Sequence, residues 1–481
     1  MECDKIVKMS FLGGDKTMGA VGVKRHDVNM TEGSIAGNLI RFAFPLLLGN
    51  LFQQLYNMVD TWVIGQWGLD AEYAAVGSIG PIINILIGFF MGFASGAGVV
   101  ISTYYGAGDE KKVHDAVHTS MVVTALFSVL FTVVGILTTP LMLRLMLESK
   151  VENSDILPYA TTYLTIYFAG VTGLLVYNMG SGILRAVGDS RRPFYFLVVS
   201  ALLNIVLDIV FVVFFRMGVA GVALATVLAQ LVSAILTLTV LLRTESCVKL
   251  ILRDLRMDLA MLGKIVRIGF PAALQLSITA FSNVFVKSYI GNINPIAHQK
   301  EHLAAWTTYS KLDQIMFLAP QSLAVAVTTF VGQNLGKGDI ARAKKGATVA
   351  YLQSTAITVV IMIPLMIFAP QLSMFFNDSE LVVEYATVLL RVLTPFYLFS
   401  SVNQVFAGAL RGAGNTRTPM IIMLVSFVLF RQIYLFTMTN YISNDLIPVA
   451  MSYPAGWLVC CILTLIFYFT FRFDKTSIID R

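Results

Sequence analysis

A twelve-residue phrase that occurs twice is the strongest constraint on the fold of this 481-residue chain. Residues 182–193 read GILRAVGDSRRP, and residues 408–419 read GALRGAGNTRTP, 226 positions later. A second pair, GAGD at 106–109 and GKGD at 336–339, repeats with an offset of 230. Offsets close to half the chain indicate a duplicated unit, so we expect a fold of two similar halves.

The composition places these halves in a membrane rather than in water. Hydrophobic residues form 57% of the chain and charged residues only 13%, whereas a globular protein has about 25% charged residues. Apolar runs of 20 or more residues recur from end to end, and each is long enough to cross a bilayer as a helix. We therefore predict an all-α polytopic protein of the cell membrane.

Six apolar runs in each half predict twelve transmembrane helices in two six-helix lobes. Because six is even, both halves enter the bilayer in the same direction, and a pseudo-two-fold axis along the membrane normal relates them. The predicted units are a tail at 1–33, an N-lobe at 34–243, a connector at 244–262, a C-lobe at 263–471 and a tail at 472–481. Apolar residues at helical spacing beside basic ones predict that the connector is an amphipathic helix at the membrane surface.

Basic residues predict the orientation of the bundle. They concentrate in the loops assigned to one side, such as those with Lys111, Arg185, Lys337 and Arg411, and the basic connector lies on that side too. Since cytoplasmic loops are rich in Lys and Arg, both termini are expected in the cytoplasm. The net charge of +6 then reflects this topology and contact with anionic lipid. We expect a monomer that contacts the bilayer and small molecules, without nucleic acid.

The first predicted helix carries polar groups that are costly inside a bilayer. Asn50, Gln53, Asn57 and Asp60 follow one another at intervals of three or four residues, which places them on one helical face. Such a face does not contact lipid, so it lines a cavity or packs against another polar helix. Pro45 lies in the same helix and is expected to bend it, because proline removes a backbone hydrogen bond.

Three further polar groups are expected to meet Asp60 at one depth. Asn204 and Asp208 stand four residues apart on the fifth predicted helix and share a face, and Thr226 follows on the sixth. At 1.5 Å per residue, the four groups lie about 17 to 28 Å from the inner ends of their helices. This common layer in the outer half of the bilayer predicts a single site.

The repeat also shows where the two halves differ. With an offset of 226, Val286 is the residue equivalent to Asp60 and Tyr434 is the residue equivalent to Asp208. The duplicated fold itself therefore does not need these acids. Two carboxylates in a site of low dielectric constant cannot both ionise at low cost, and such a pair can bind and release a small cation. The neutral oxygens of Asn204 and Thr226 would suit Na⁺ as well as H⁺. The sequence predicts one of these two coupling ions.

The second half contains intramembrane charges of its own. Lys287 is expected to reach the outer surface with its long side chain, whereas Arg431 and Asp313 predict either a structural ion pair or part of a substrate pocket. Polar residues of both halves are candidates for lining the transport cavity. They are Asn50, Gln53, Asn57, Asn178, Gln275, Asn283, Asp313, Gln314, Asn403, Gln404 and Arg431.

No motif indicates catalysis, a bound metal or an organic cofactor. The pairs His114/His118 and His298/His302 have the spacing of metal ligands but no third ligand beside them, so no metal site is predicted. The sequence has no glycine-rich phosphate loop, zinc-protease motif or nucleophile elbow. We therefore expect a protein that is not an enzyme and does not use ATP directly.

The chain resembles the multidrug and toxic compound extrusion (MATE) family over residues 31–471. The motifs that carry the resemblance are Pro45 with Asn57-x-x-Asp60, the two GxLRxxGxxRxP loops, and Gln333-Asn334-x-Gly336-x-Gly338-Asp339. The resemblance implies export of amphipathic, often cationic, organic compounds in exchange for H⁺ or Na⁺. It also implies alternating access, in which the lobes rock about a central cleft.

Within that family, the four N-lobe groups resemble the cation site of the DinF-like branch. That branch has an Asp on the first helix, an Asn-x-x-x-Asp on the fifth and a Thr on the sixth, which correspond to Asp60, Asn204, Asp208 and Thr226. The NorM-like branch has further acids on its seventh and tenth helices, but the seventh helix here offers Lys287. The alternative function is a flippase for lipid-linked precursors from the same broader superfamily, which would need a strongly cationic cleft.

Overall fold

The structure, a computed structural model, describes residues 28–147, 155–293 and 298–474. Twelve long helices, α1 to α12, form most of the described part. Their bounds are α1 Ile35–Trp67, α2 Asp70–Gly106, α3 Glu110–Leu147, α4 Leu157–Ala169 with Val171–Ala186, α5 Arg191–Phe214, α6 Gly218–Arg243, α7 Leu259–Ile290, α8 Gln299–Lys337, α9 Ile340–Ile367, α10 Glu380–Gly412, α11 Arg417–Ile442 and α12 Leu446–Thr470. Helix α4 is bent, and α5, α10, α11 and α12 include π-helical, 3₁₀ or turn segments.

These helices confirm the predicted fold of two six-helix lobes. Eleven helices are long and apolar enough to cross a bilayer, and the two segments of α4, which meet at 49°, complete the set of twelve. Helices α1–α6 pack together as the N-lobe and α7–α12 as the C-lobe. The lobes meet chiefly where α2 contacts α7 and where α8 contacts α1 and α2. The chain is thus a multi-pass helical membrane protein.

The repeated G-x-G-D motif joins helices and lobes at one end of the bundle. Its second glycine, Gly108 or Gly338, has φ of +73° or +87° and ends α2 or α8 in the left-handed conformation that favours glycine. The following aspartate starts the next helix: Asp109 Oδ1 accepts from Lys112 N at 3.1 Å, and Asp339 Oδ1 accepts from the first turn of α9. We call the end of the bundle that carries these loops the terminal face.

The first glycine of the same motif brings the two lobes into direct contact. A Cβ on Gly106 would overlap the backbone carbonyl of Gln333, and a Cβ on Gly336 would overlap that of Thr103. The two contacts are reciprocal, since α2 and α8 are equivalent helices of the two halves. The side chain of Gln333 adds a bond to the N-lobe, donating to the carbonyl of Ala186 at 2.8 Å. The lobes are therefore closed against each other at the terminal face.

The twelve-residue repeat likewise ends one helix and starts the next. Gly188 and Gly414 have φ of +98° and +81° and end α4 and α10. Asp189 and its counterpart Asn415 accept hydrogen bonds from backbone N–H groups at the start of α5 and α11. A proline in the first turn of each following helix fits because that turn has free N–H groups in any case. These residues explain the repetition, but they leave Arg185 of the motif without a structural role.

Residues 28–33, the N-terminal segment, connect the two lobes at the terminal face. Val28 N donates to the carbonyl of Gly188 in the N-lobe at 3.1 Å. Asn334 of the C-lobe donates to the carbonyl of Met30 at 3.1 Å, and Arg342 donates to backbone carbonyls further along the segment. The Met30 side chain is fully buried. The predicted tail at 1–33 thus ends in an ordered segment, and residues 1–27 lie outside the described part.

The prediction that the connector is an amphipathic helix is wrong. Its regular structure between α6 and α7 is a single 3₁₀ turn at Leu252–Asp254. Contacts with α3 hold the connector in place of the backbone hydrogen bonds of a helix. The N–H of Ile251 donates to His118 Nε2 at 3.1 Å, and Arg256 forms an ion pair with Asp115 at 2.9 Å. Asp258 then caps α7, so that the helix begins four residues before the predicted C-lobe boundary.

We predict that a methyl group at the lobe contact destabilises the closed arrangement. Gly106→Ala and Gly336→Ala each place a Cβ against a carbonyl of the opposite lobe, and overpacking of this kind costs about 1–3 kcal/mol. Scanning fluorimetry of the purified protein should show a lower melting temperature for both variants. Gly80→Ala, also in α2, is the matched control because nothing lies within 4 Å of its Cβ. Equal melting temperatures for all three variants would contradict the tight contact.

Candidate functional site

Two buried carboxyl groups form the centre of the candidate site in the N-lobe. Asp60 of α1 is 8% exposed and Asp208 of α5 is fully buried. Their carboxyl groups lie close enough to interact directly. Within the described residues, no N–H or O–H group donates to either oxygen of Asp208 or to Oδ1 of Asp60. The structure therefore brings these two acids together, as the sequence predicted.

The remaining predicted site residues surround this pair. Asn204 is buried one turn from Asp208 on α5, and neither its side-chain oxygen nor its nitrogen has a hydrogen-bond partner in the described part of the chain. Thr226 of α6 is buried, and its hydroxyl donates to the carbonyl of Val222 at 3.0 Å. It lies close to the Tyr163 side chain of α4, which also interacts electrostatically with both acids. Oxygen atoms from α1, α4, α5 and α6 thus converge on one small volume.

The local fold of α5 positions Asp208 at a change of helix type. The α-helical part ends at Asp208, and a π-helical turn at Ile209–Phe214 continues the span. π-helical turns leave backbone groups and side chains in positions that a regular helix does not offer, and they are frequent at functional sites. Because α1 packs along α5 and α6 packs along both, the three helices hold the acid pair inside the lobe.

An N-lobe cavity of about 80 Å³ lies beside the acid pair, on the side of the terminal face. Asn50, Gln53 and Asn178 line it, as predicted. Pro45, which was predicted to bend α1, lines the cavity as well, and α1 runs through it without interruption. Tyr56 lines the same cavity and is the neighbour of Asp60 one helical turn earlier. The cavity and the carboxyl pair therefore share the helix α1 and are in contact through one tyrosine.

A larger cavity of about 150 Å³ lies between the two lobes. Asn50 and Ser322 meet across it with a hydrogen bond of 3.4 Å, and Gln275 and Gln404 line it as predicted. Arg185 and Arg411, the equivalent arginines of the twelve-residue repeat, line it as well. The lining residues come from α1, α2 and α4 of the N-lobe and from α7, α8 and α10 of the C-lobe.

Several predicted cavity-lining residues belong to neither cavity. Asn57 and Gln314 are exposed and line neither of these two cavities. Asn403 is buried and donates to the carbonyl of Trp457, which fixes α10 to α12. Asp313 accepts a hydrogen bond from Tyr309 at 3.0 Å. Neutral amides often bridge helices in this way, so a polar residue in a membrane helix does not by itself indicate a cavity.

Arg431 does not form the suggested ion pair with Asp313. Its Nη1 donates to Ser282 and Asn283 of α7, each at 3.3 Å. Its guanidinium group lies over two aromatic rings, 4.8 Å from the centre of Phe427 and 4.4 Å from that of Tyr453. Cation–π contacts and hydrogen bonds together satisfy a buried arginine, which makes Arg431 and Asn283 a structural link between α7, α11 and α12.

Sequence reasoning missed the tyrosines of the site and the two cavity arginines. Tyr56 lies four residues before Asp60, and Tyr163 and Tyr167 lie four apart on α4, so helical spacing offered a signal. Tyrosine is common in this chain, however, and spacing alone does not distinguish the site members from those that pack. Arg185 and Arg411 were counted only among the basic residues that indicate orientation; the structure places them in the inter-lobe cavity.

A two-lobed bundle of membrane-spanning helices, with cavities within and between its lobes, is an architecture typical of membrane transporters. The sequence profile of the MatE family matches residues 45–210 and 268–437, once in each lobe. The chain therefore belongs to this family, which includes multidrug efflux transporters.

Curated relatives and solved structures agree with this membership. The probable multidrug resistance protein YoeA of Bacillus subtilis is 28% identical over 460 residues, covering 92% of this chain and 96% of that protein. The probable multidrug resistance protein NorM of Thermotoga maritima is 26% identical, with 93% and 95% coverage. A multidrug resistance MATE family transporter in an outward-facing conformation superposes with a TM-score of 0.86 at 22% identity, with 92% and 97% coverage.

We predict that Arg431 stabilises the C-lobe. Arg431→Met removes hydrogen bonds from a charged group, each worth about 1.5–3 kcal/mol, and leaves Asn283 and Ser282 without that donor. The melting temperature should fall clearly, while Lys287→Gln, an exposed charge change in the same lobe, should leave it unchanged. Loss of transport by Arg431→Met at wild-type melting temperature would instead place this arginine in a substrate site.

Proposed function

We propose that the chain is a secondary active multidrug efflux transporter of the cell membrane, which exports amphipathic organic compounds in exchange for H⁺ or Na⁺. The observation that carries this proposal is the buried, interacting pair Asp60 and Asp208 in the N-lobe, with Asn204 beside it. The names of the multidrug resistance relatives support the substrate class. They do not favour the alternative, a flippase for lipid-linked precursors.

The acid pair has the chemistry of a reversible cation site. Two carboxyl groups inside a lobe of low dielectric constant repel each other when both are ionised, and one H⁺ or Na⁺ removes that repulsion. The oxygens of Asn204 and Thr226 complete a set of hard ligands. Water that enters from the opposite side lowers the cost of ionisation, so the cation leaves again. This is the N-lobe site that the DinF-like resemblance implies.

Cation binding at the acid pair acts on the cavities through helix α1. Asp60 lies on α1, the helix that also supplies Pro45, Asn50 and Gln53 to the N-lobe cavity. Tyr56 lines that cavity one helical turn from Asp60 and interacts electrostatically with the acid. Gln230 of α6 lines the same cavity. A change of charge at Asp60 therefore moves α1 or its tyrosine, and the shape of the cavity changes with them.

Transport then follows from rocking of the two lobes about their contacts. Basic loops support a cytoplasmic terminal face, and the reciprocal glycine contacts support a state that is closed on that side. One cation that moves down a potential of 100 mV supplies about 2.3 kcal/mol, enough for roughly fiftyfold accumulation of substrate outside. One monomer contains both lobes and needs no organic cofactor for this cycle.

We predict that neutralising either acid abolishes gradient-driven export. Asp208→Asn and Asp60→Asn should each reduce dye export from proteoliposomes at least tenfold, because an amide cannot gain or lose the coupling charge. Gradients of H⁺ and Na⁺ are imposed separately, which identifies the ion. Asp313→Asn is the matched control, since this C-lobe acid lies outside both cavities.

Size-exclusion profiles and melting temperatures verify that each variant is folded. Unchanged export by both N-lobe variants under either gradient would overturn the assignment of the cation site. An equal loss in Asp313→Asn would also overturn it, because the effect would then not be specific to the N-lobe pair.

A further inference from the structure

The inter-lobe cavity has an unbalanced charge. Among the described side chains that line it, Arg185 and Arg411 are the ionisable ones, and none is Asp or Glu. The remaining polar groups of the wall are amides and hydroxyls, among them Gln275, Gln404 and Thr329. The carboxyl pair of the proposed cation site does not contribute to this wall. A cavity of this composition attracts negative charge.

Both arginines lack a protein counter-ion. Each is half-buried, and none of the ion pairs among the described residues involves either guanidinium group. Over the same residues, neither side chain donates a hydrogen bond to a protein acceptor; the titratable neighbour of Arg185 is the Tyr177 hydroxyl. A guanidinium group has five N–H donors, and leaving them unsatisfied away from bulk water is costly.

The neighbouring arginines of the same repeat are different. Arg191 and Arg417, six residues further in each copy, are exposed on the terminal face and belong to neither cavity. Arg192, next to Arg191, is paired with Asp189 at 3.4 Å. The duplicated motif thus directs one equivalent pair of arginines into the cavity and another out of it. This selective placement is not explained by a general positive charge of the loops.

We infer that Arg185 and Arg411 together bind the anionic group of an amphipathic compound, a carboxylate, sulfonate or phosphate, in the inter-lobe cavity. Two guanidinium groups from equivalent positions on α4 and α10 approach a central anion from both lobes, and each offers the planar fork that matches such oxygens. The amide group of Gln404 supplies a further donor. The apolar part of the ligand contacts Leu46, Met91 and Leu276.

The inference rests on the proposed transport function and names its substrate class. It places the anion site between the lobes and the cation site inside the N-lobe, so the two opposite charges do not compete for the same side chains. An anion held by one arginine from each lobe also connects the lobes on the terminal side of the cavity. Departure of the anion leaves the two like charges facing one cavity, which favours separation of the lobes there.

The test is equilibrium binding of two xanthene dyes of opposite charge to the full chain in nanodiscs, without any ion gradient. Fluorescein carries a carboxylate, and rhodamine 123 is a cation of similar ring structure. Fluorescence anisotropy should give a Kd for fluorescein that rises at least tenfold in Arg185→Gln/Arg411→Gln. Binding of rhodamine 123 should stay unchanged or become tighter. Arg191→Gln/Arg417→Gln, which removes the same charge from the same motif, should bind both dyes like the unmodified chain.

Arg185→Lys/Arg411→Lys, which retains the charge, should recover part of the fluorescein binding. This variant separates a loss of charge from a failure to fold.

Nanodiscs of phosphatidylcholine alone and with phosphatidylglycerol distinguish the source of the anion. Weaker dye binding in the second set identifies a lipid headgroup, and equal binding identifies a free organic anion. Fluorescein binding that is unaffected by the Gln double variant, or an equal loss of both dyes, would overturn the inference. Because no gradient is used, failure of the Asp60/Asp208 coupling leaves this result unaffected.

Discussion

The cost of an unsatisfied polar group in hydrocarbon determines most of this structure. Backbone groups are paired within helices, and at the terminal face a left-handed glycine such as Gly108 or Gly188 stops one helix before an aspartate caps the next. Arg431 illustrates the same rule, since two hydrogen bonds and two aromatic rings hold its guanidinium group. In the described part of the chain, Asp208 and Asn204 depart from the rule at the acid pair, and Arg185 and Arg411, which donate to no protein acceptor, depart from it at the inter-lobe cavity.

These unsatisfied polar groups lie at successive distances from the terminal face. Nearest the terminal face, Arg185 and Arg411 face the cavity between the lobes. Asn50 belongs to that cavity and also to the N-lobe cavity, so the two spaces share a wall on α1. Beyond them, Asp60 and Asp208 close the N-lobe. A single helix, α1, therefore borders the proposed anion site, the N-lobe cavity and the proposed cation site, and it connects the three structurally.

The sequence predicted the fold well because duplication and hydropathy are properties of whole segments. Twelve apolar runs and two copies of G-x-G-D leave few alternatives to a two-lobed bundle, and helical spacing was sufficient to group Asp60 with Asp208. Predictions failed where contacts between distant parts of the chain determine the local structure. The connector has an amphipathic pattern, but His118 and Asp115 hold it in an extended form. Asn403 and Arg431 are polar and intramembrane, yet their partners on neighbouring helices, which spacing does not reveal, make them structural.

The docking of the connector restricts the relative movement of the lobes. Asp258 accepts the first N–H groups of α7 in the C-lobe, while its own N–H donates to Thr119 of α3 in the N-lobe at 3.2 Å. Further along α7, this helix lies against α2, where Ser277 donates to the carbonyl of Ile85. The two lobes therefore share an edge formed by the docked connector, α2 and α7. The proposed rocking motion has this edge as its axis, and it separates the lobes on the far side, between α1 and α8.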